Sequence, residues 1–238
     1  MIKLTDRLQV LADEIKQNET MADIGTDHGF LPIYLWENEI SPKVIMADIS
    51  PGSLDKARAN CYELYPGEKF DLRLGNGIQV LENGEVDAVV IAGMGGKLMT
   101  QILGEDLEKS KSFGKLILQP RNGQAKLRQW LLENGFSIVK ESLVRENKYI
   151  CEIITVVPYV SEDAVSYIPE NCIDDPMCYE VPPWIATAGE LAAPFIQNKI
   201  NIEEYALNGI LKADVTDAER EAVTRSRIGY LQGLLGGI

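Results

Sequence analysis

The sequence predicts an α/β protein built on a doubly wound sheet that is parallel except for an antiparallel strand at its end. Three observations support this fold class. Strand and helix patterns alternate up to about residue 158. The segment Ala22–Gly29 ends an apolar strand in a glycine-containing turn that passes directly into an apolar helix. The segments Phe136–Val144 and Tyr149–Val157 have the pattern of two strands joined by a charged turn, which predicts a closing hairpin.

The individual elements follow from spacing and capping signals. Apolar residues recur at helical spacing over Leu4–Ile15, which predicts an amphipathic first helix. Ser50 is a suitable N-cap and Pro51 a suitable first-turn residue for a helix that runs to about Leu64. The other predicted elements are strands near Thr20–Ile24, Val44–Asp48, Phe70–Leu74, Val86–Ala92 and Leu116–Gln119, and a helix over Ala125–Asn134 that Gly135 ends.

The last third of the chain has a different character. Prolines and acidic residues over 159–183 predict a linker or irregular segment. Two helices follow from about Ala188, and the second opens with the capping-box pattern Thr216–Glu219. We therefore expect two domains. Residues 1–158 form an α/β ligand-binding domain that ends with the predicted β-hairpin, and residues 159–238 form a linker with a C-terminal helical hairpin. The apolar residues predicted to be buried in the hairpin are Ile196, Ile200, Leu207, Leu211, Ile228, Leu231 and Leu235.

The charge balance restricts the partners of this protein. A net charge of −13 argues against a general nucleic-acid binder. The charge is uneven, because residues 1–158 hold 18 basic and 23 acidic residues and residues 159–238 hold 5 and 13. The first part could therefore carry a local basic patch, with a solvated helix face as the alternative. The crowded basic residues are Lys97, Lys109, Lys111, Lys115, Arg121, Lys126 and Arg128.

Other features of composition point to a cytoplasmic protein. No run of about 18 apolar residues is present, and the N-terminus has no signal-peptide core. The four cysteines lack C-x-x-C spacing, so we predict reduced thiols and no metal site. A homo-oligomer is possible but is not predicted.

The glycine turn predicts a nucleoside cofactor. Gly25 and Gly29 permit a close backbone approach to a ligand, and Asp48 ends the next strand about twenty residues later. The dinucleotide fingerprint requires a glycine where this chain has Asp27, and a carboxylate there would repel a pyrophosphate. The two carboxylates near the turn, Asp23 and Asp27, instead suit a cofactor that carries an amino group and a sulfonium, namely S-adenosylmethionine. A plain loop between strand and helix is the alternative.

Further polar and glycine-rich clusters follow the predicted strands. The carboxyl ends of parallel strands meet at one edge of a sheet, where ligands bind. Asn76 could hydrogen-bond the cofactor adenine, although a simple tight turn would explain its neighbourhood as well. Five clusters at one edge favour a single site. They are Asp23–Gly29, Asp48 with Ile49, Gly75–Gly77, Ala92-Gly93-Met94-Gly95-Gly96, and Gln119-Pro120-Arg121-Asn122.

On these segments, together with Leu4–Leu8, the chain resembles the bacterial tRNA (adenine-22-N1) methyltransferases. The resemblance covers residues 1–158 well, and Ala-Gly-Met-Gly-Gly replaces the Asp/Asn-Pro-Pro-Tyr/Phe motif of amino-methylating adenine enzymes. It implies a Rossmann-like class I methyltransferase fold and a tRNA partner. It also implies S-adenosylmethionine binding at Asp23, Gly25, Asp48, Ile49, Asn76, Gly77, Ala92 and Gly93. The implied target-base pocket is lined by Asp27, His28, Met94 and Pro120.

One position departs from the family pattern. The family often has Gln-Pro-Asn where this chain has Gln119-Pro120-Arg121-Asn122, so Arg121 replaces the asparagine or displaces it by one residue. Arg121 and Gln119 remain candidate substrate residues, as do Gly95 and Gly96, which would leave room for a flipped base or serve close packing. Arg7 could contact RNA phosphate or form a surface ion pair.

The chemistry of the expected reaction makes modest demands. The N1 nitrogen of neutral adenine has a free lone pair, so positioning and a nearby negative group matter more than a base. We predict that Asp27 accepts a hydrogen bond from the exocyclic amine and stabilises the developing cation. His28 either takes part directly or hydrogen-bonds the backbone. A small-molecule methyltransferase and a non-catalytic cofactor-binding interaction protein are the alternative functions.

Overall fold

The computed structural model describes residues 2–158, 176–213 and 217–238. The chain divides into two compact units, with the division between residues 166 and 167. The first unit is α/β and the second is helical in its described residues. The domain boundary expected after residue 158 stays a prediction, because residues 159–175 lie outside the described part of the chain.

The described strands of the first unit form one seven-stranded sheet in the order β3-β2-β1-β4-β5-β7-β6. Strands β1 to β5 are parallel, while β7 runs antiparallel to β5 and β6 antiparallel to β7. This order confirms the predicted doubly wound sheet with its antiparallel hairpin. The strands are β1 (Met21–Ile24), β2 (Val44–Asp48), β3 (Asp71–Leu74), β4 (Ala88–Met94), β5 (Lys115–Pro120), β6 (Phe136–Glu146) and β7 (Tyr149–Pro158).

In the described part of the first unit, six α-helices flank this sheet. On one face, α1 and α2 bury Leu11, Leu31 and Leu35 against Ala88 and Val90 of the central strand β4. Helix α3 packs on the same face, where Ala57 and Cys61 contact Met46 of β2. Helix α4 packs against both α5 and α6. Sequence reasoning missed α4 and α5. The helices are α1 (Asp6–Asp13), α2 (Phe30–Glu37), α3 (Pro51–Leu64), α4 (Gly96–Gly104), α5 (Leu107–Ser112) and α6 (Gln124–Glu133).

Local signals in the sequence fix several helix ends. Ser50 caps α3 as predicted, and its hydroxyl accepts a hydrogen bond from the Ser53 backbone N–H at 3.4 Å. Gly29 caps α2 with a φ of 72°, a left-handed conformation that glycine adopts readily. Helix α6 ends at Asn134, followed by Gly135 with positive φ, also as predicted. Helices α2 and α3 start shortly after β1 and β2, so the turns after these two parallel strands lie at the same edge of the sheet.

The closing hairpin contains a β-bulge. Ile138 of β6 pairs with Val156 of β7 and Lys140 pairs with Thr155, so Val139 is the extra residue between them. A bulge of this kind bends a strand and locally increases its twist. The two strands are joined by the short turn at Asn147, whose φ is 54°.

A buried ion cluster joins α6 to this hairpin. The Arg128 guanidinium is fully buried and donates to Glu141 at 3.0 Å and 2.7 Å through two nitrogens, and it also pairs with Glu152. The carboxylates raise the pKa of Arg128 despite its burial. Lys115 is likewise buried against Glu19 and the Glu14 carbonyl. The expected basic surface patch is therefore wrong for Arg128 and Lys115, which serve the interior.

The second unit contains two long helices that pack against each other. Ile196, Ile200 and Leu231 are buried as predicted, whereas Leu211 is exposed and Ile210 is buried in its place. Asp217, whose carboxylate accepts from the Arg220 N–H at 3.0 Å, is the N-cap of the second helix, and Thr216 lies outside the described residues. The helices are α7 (Pro176–Glu180), α8 (Ala192–Leu211) and α9 (Ala218–Gly236).

The described residues contain neither a membrane-spanning helix nor a cluster of metal-binding side chains. None of the helices in them is long and apolar enough to cross a lipid bilayer. No group of three or more His, Cys, Asp or Glu side chains in the same residues is arranged to hold a metal ion.

Candidate active site

A cavity of about 320 Å³ lies at the carboxyl ends of β1, β2 and β4. This is the edge of a doubly wound sheet at which ligands bind. Helices α1 and α2 supply an apolar wall to it, and polar side chains come from the strand ends. The lining residues are Arg7, Leu8, Leu11, Asp23, Gly25, Thr26, Asp27, His28, Phe30, Leu31, Asp48, Ala92, Gly93, Met94 and Arg121. We call this the first cavity.

Gly25 lines the first cavity, and its backbone lies close to the Met94 side chain. Gly25 has a φ of 84°, and a Cβ added to it would lie 2.2 Å from the Met94 methyl carbon. Strand β4 extends two residues beyond its predicted end, which brings Gly93 and Met94 to this position. A larger residue at position 25 would therefore be strained and would displace Met94.

Asp23 is the buried acid of the first cavity. Its burial raises its pKa to about 6, which outweighs the opposite effects of the Thr26 hydroxyl and of Arg7, and the nearby Asp48 raises the pKa further. Asp48 is half-buried at the end of β2, and its carboxylate accepts a hydrogen bond from the Ser50 N–H at 2.7 Å. Two carboxylates on neighbouring strand ends make the cavity suitable for a ligand with cationic and hydroxyl groups.

Asp27 lies at the rim of the first cavity within a small charged cluster. Its carboxylate oxygens are 2.9 Å from Lys56 Nζ and 3.3 Å from His28 Nε2. The hydrogen bond from Lys56 is the largest cause that lowers the pKa of Asp27. The His28 ring in turn stacks on Phe30, with ring centroids 5.4 Å apart and planes within 8°. Asp27 is therefore an ionised, half-exposed acid whose carboxylate lies between Lys56 and His28.

A second cavity of about 470 Å³ adjoins the first, because Arg7, Gly93 and Arg121 line both. One wall is the segment after β5, and the other is the tip of the β6–β7 hairpin. We call it the second cavity. Its lining residues are Arg7, Gly93, Gln119, Pro120, Arg121, Gln124, Glu146, Asn147, Tyr149, Ile150 and Cys151.

Gln119 ties the elements around both cavities together. Its Oε1 accepts from the Gly93 N–H at 3.0 Å and from Arg7 at 3.4 Å, and its Nε2 donates to the Pro120 carbonyl at 3.1 Å. Arg7 also donates to the Glu146 carboxylate at 2.8 Å. The helix α1, the loop after β4 and the hairpin are thus held in one hydrogen-bond network.

A sequence model described as a methyltransferase domain matches residues 4–154, which span the whole α/β unit that carries both cavities. The chain belongs to this methyltransferase family. It is 33% identical over 153 residues to the tRNA (adenine(22)-N(1))-methyltransferase of Bacillus subtilis strain 168, and the alignment spans 64% of each chain. The chain therefore matches slightly less than two thirds of the length of that relative.

Solved structures resemble the chain over nearly its full length. The M1A22 tRNA methyltransferase TrmK of Bacillus subtilis superposes with a TM-score of 0.85 at 26% identity, covering 99% of this chain and 100% of that one. A Streptococcus pneumoniae protein solved in complex with S-adenosyl-L-methionine gives a TM-score of 0.81 at 28% identity, covering 98% and 100%. The predicted class I methyltransferase fold is confirmed.

The methyltransferase brings most of the predicted site residues to the two cavities. The residues expected for the target-base pocket are divided, because Asp27, His28 and Met94 line the first cavity and Pro120 lines the second. Arg7 forms the predicted ion pair, with Glu146, and also lines both cavities, while its contact with RNA phosphate stays a prediction. The individual functions of these residues stay predictions.

Five predicted site residues line neither cavity in this methyltransferase. Ile49 is largely exposed, and the Asn76 amide donates to the Glu105 carboxylate at 3.1 Å. Gly77 has a packing function, because an added Cβ would lie 2.7 Å from Ile102. Gly96 packs against the loop before α6, where a Cβ would meet the Gly123 carbonyl oxygen at 2.7 Å, and Gly95 lies beside it.

Sequence reasoning missed two parts of the methyltransferase site. Lys56 on α3 reaches Asp27 across a separation of 29 residues, and Asn147, Tyr149 and Ile150 form the outer wall of the second cavity. The α3 lysine gave no signal in the sequence. The hairpin turn was predicted, but nothing in its pattern showed that it lies beside the strand ends.

The raised pKa of Asp23 predicts a pH-dependent stability difference. Between the unfolded value near 3.8 and the folded value of about 6, the native state keeps a proton that the unfolded state loses, so wild-type stability falls as pH rises. Asp23→Asn removes this penalty. We expect the variant to gain about 1 kcal/mol over the wild type between pH 5 and pH 7, with a plateau above pH 7. Urea unfolding of both proteins across this range measures the difference, and a constant difference would contradict the assigned pKa.

Proposed function

We propose that this methyltransferase transfers a methyl group from S-adenosylmethionine to N1 of adenine 22 in the D-arm of tRNA. The observation that carries the proposal is its similarity over almost the full chain to the Bacillus subtilis M1A22 enzyme. The two adjoining cavities at the strand ends support it, since a methyl transfer needs a donor and an acceptor side by side. A tRNA substrate also implies a cytoplasmic location.

The first cavity fits S-adenosylmethionine by its shape and charge. Gly25 leaves the space that a Cβ would fill, so a ligand can approach the β1 turn closely. Asp48, at the end of β2, is the acid for the ribose hydroxyls. Asp23 is a buried carboxylate whose ionised form is disfavoured by burial, and a cationic ligand group would stabilise that form.

The reaction moves one methyl group from a sulfonium sulfur to the adenine N1 nitrogen. S-adenosylmethionine supplies it: the N1 lone pair forms the new N–C bond, the S–C bond breaks with its electrons left on sulfur, and the positive charge passes to the adenine ring. Asp27 is ionised because its pKa is lowered, and it accepts from the exocyclic amine beside N1. Its negative charge stabilises the cationic ring, while Gln119 holds the Gly93 backbone in place.

Adenine 22 must flip out of its stem before the N1 atom on its pairing edge can react. Positioning of the flipped base therefore accounts for much of the rate, as expected for a reaction that needs no strong base. Gly93, which lines both cavities, and the polar wall at Gln119 leave a path to N1. The net charge of −13 implies that RNA contact is local rather than spread over the surface.

The test is a methylation assay on unmodified tRNA transcripts. Purified protein is incubated with S-adenosylmethionine and transcript, and the digested nucleosides are quantified by mass spectrometry. We expect 1-methyladenosine with the wild-type transcript and none when adenine 22 is replaced by guanine. The absence of any methylated nucleoside, with cofactor binding shown by calorimetry, would reject the proposal in favour of a small-molecule substrate, which the acidic composition would suit.

A further inference from the structure

The second cavity has two walls of different chemistry. On one side lie Gln119 and Pro120 at the end of β5 and Arg121 directly after it, and on the other lies the tip of the β6–β7 hairpin. Its volume of about 470 Å³ is within the range of small-ligand sites. The match to the methyltransferase family ends at residue 154, within β7.

The cavity opens toward the first cavity at a defined position. Gly93 lines both, and a Cβ added there would lie 3.6 Å from the Arg121 guanidinium. A ligand in the second cavity therefore meets a ligand in the first beside the Gly93 backbone. This is the arrangement that a methyl acceptor requires.

The charge around the second cavity favours an anion. Arg121 lines it, and the exposed Arg145 and Lys148 belong to the same hairpin, although neither of them lines the cavity itself. Among the residues that the structure describes, no carboxylate forms an ion pair with any of these three cations. The acid on the same wall, Glu146, is already paired with Arg7 at 2.8 Å. A phosphate would thus find exposed cations here within a strongly acidic protein.

Tyr149 gives the hairpin wall a flat aromatic surface. It lines the second cavity and is 63% exposed, so its ring is accessible to a ligand. Lys148 Nζ lies 5.2 Å from its ring centroid. An exposed aromatic ring beside cations is the combination that binds an unstacked nucleotide, with the base on the ring and the phosphate on the cations.

We propose that the second cavity receives the target nucleotide of the RNA, with Tyr149 stacking on the flipped base and Arg121 facing its phosphate. The pairing edge of the base then points past Gly93 into the first cavity, where Asp27 lies. This inference rests on the proposed function and adds to it the hairpin as the element that captures the base.

The experiment compares Tyr149→Ala, Tyr149→Phe and Tyr62→Ala in tRNA methylation and in base fluorescence. Tyr62 is the matched control, because it is 75% exposed on α3 and lines neither cavity. We expect Tyr149→Ala to lower kcat/KM for tRNA about tenfold or more, since base stacking on an aromatic ring has that magnitude. Tyr149→Phe keeps the ring and should retain activity, and cofactor affinity should be unchanged in all three variants.

The second readout uses tRNA with 2-aminopurine in place of adenine 22. A base that leaves the stem becomes fluorescent, and stacking on tyrosine quenches it, so the Tyr149→Ala complex should be brighter than the wild-type complex. Equal fluorescence of the two complexes, or a kcat/KM within twofold of wild type, would overturn the inference. Failure of the wild-type protein to methylate adenine 22 would instead overturn the proposed function, which separates the two results.

Discussion

Replacing Arg128 with alanine is expected to lower the free energy of unfolding by about 3–5 kcal/mol. The substitution leaves Glu141 and Glu152 buried without their shared cation, and removing one partner from a buried ion cluster has this magnitude. It also opens a cavity where the fully buried side chain packed between α6 and the hairpin. The effect is therefore much larger than that of an ordinary surface substitution.

Urea unfolding followed by circular dichroism measures this change. The matched control is Arg225→Ala on α9, which removes an exposed ion pair with Glu221 four residues away and should change stability by less than about 0.5 kcal/mol. Should Arg128→Ala not fold, Glu141→Gln provides a milder variant, because it keeps the shape and removes one charge. An unchanged unfolding midpoint in Arg128→Ala would show that the cluster does not stabilise the fold.

Replacing Asp27 with alanine is expected to reduce kcat for tRNA methylation by about 10²–10³, a range typical for loss of a preorganised electrostatic contact. The free energy of unfolding should fall by about 1–2 kcal/mol, because the lost ion pairs with Lys56 and His28 lie in solvent, whereas Asp27 has a φ of 42°, a left-handed conformation that alanine adopts less readily than aspartate. Cofactor affinity should also persist if Asp27 acts on the base rather than on the donor.

Single-turnover methylation and calorimetric cofactor binding together test this assignment. Asp55→Ala is a suitable control, since it removes another exposed ion pair of α3 with Arg58 away from the cavities. A fall in cofactor affinity that matches the fall in rate would move Asp27 from the acceptor side to the donor side. Undiminished turnover would exclude it from the reaction altogether.

The sequence was sufficient for the fold because its signals were local and periodic. Ser50 and Pro51 mark the start of α3, Gly29 marks the start of α2, and alternation over the hairpin gave both of its strands. Parallel topology then dictated that Asp23 and Asp48 would meet at one edge, without any knowledge of distant contacts.

The sequence was insufficient where the function of a residue depends on distant partners. Arg128 was predicted among surface cations, since nothing near it in sequence shows the two carboxylates that the hairpin brings to it. Asn76 was predicted at the cofactor but donates to Glu105, which is 29 residues away. Leu211 was predicted to be buried, but its position at the end of α8 leaves it exposed.

The bulge at Val139 determines which residues of β6 face the interior. Side chains alternate along a strand, so Phe136 and Ile138 would normally share a side with Lys140 and not with Glu141. The extra residue advances this alternation by one step, and Glu141 therefore pairs opposite Ile154, on the same side as the Ile138–Val156 pair. If Val139 instead paired with Thr155 in a regular register, every residue beyond it would face the opposite side of the hairpin, and Glu141 would turn away from Arg128. The bulge thus allows the apolar Ile138 and the buried acid Glu141 to face the same side of the hairpin.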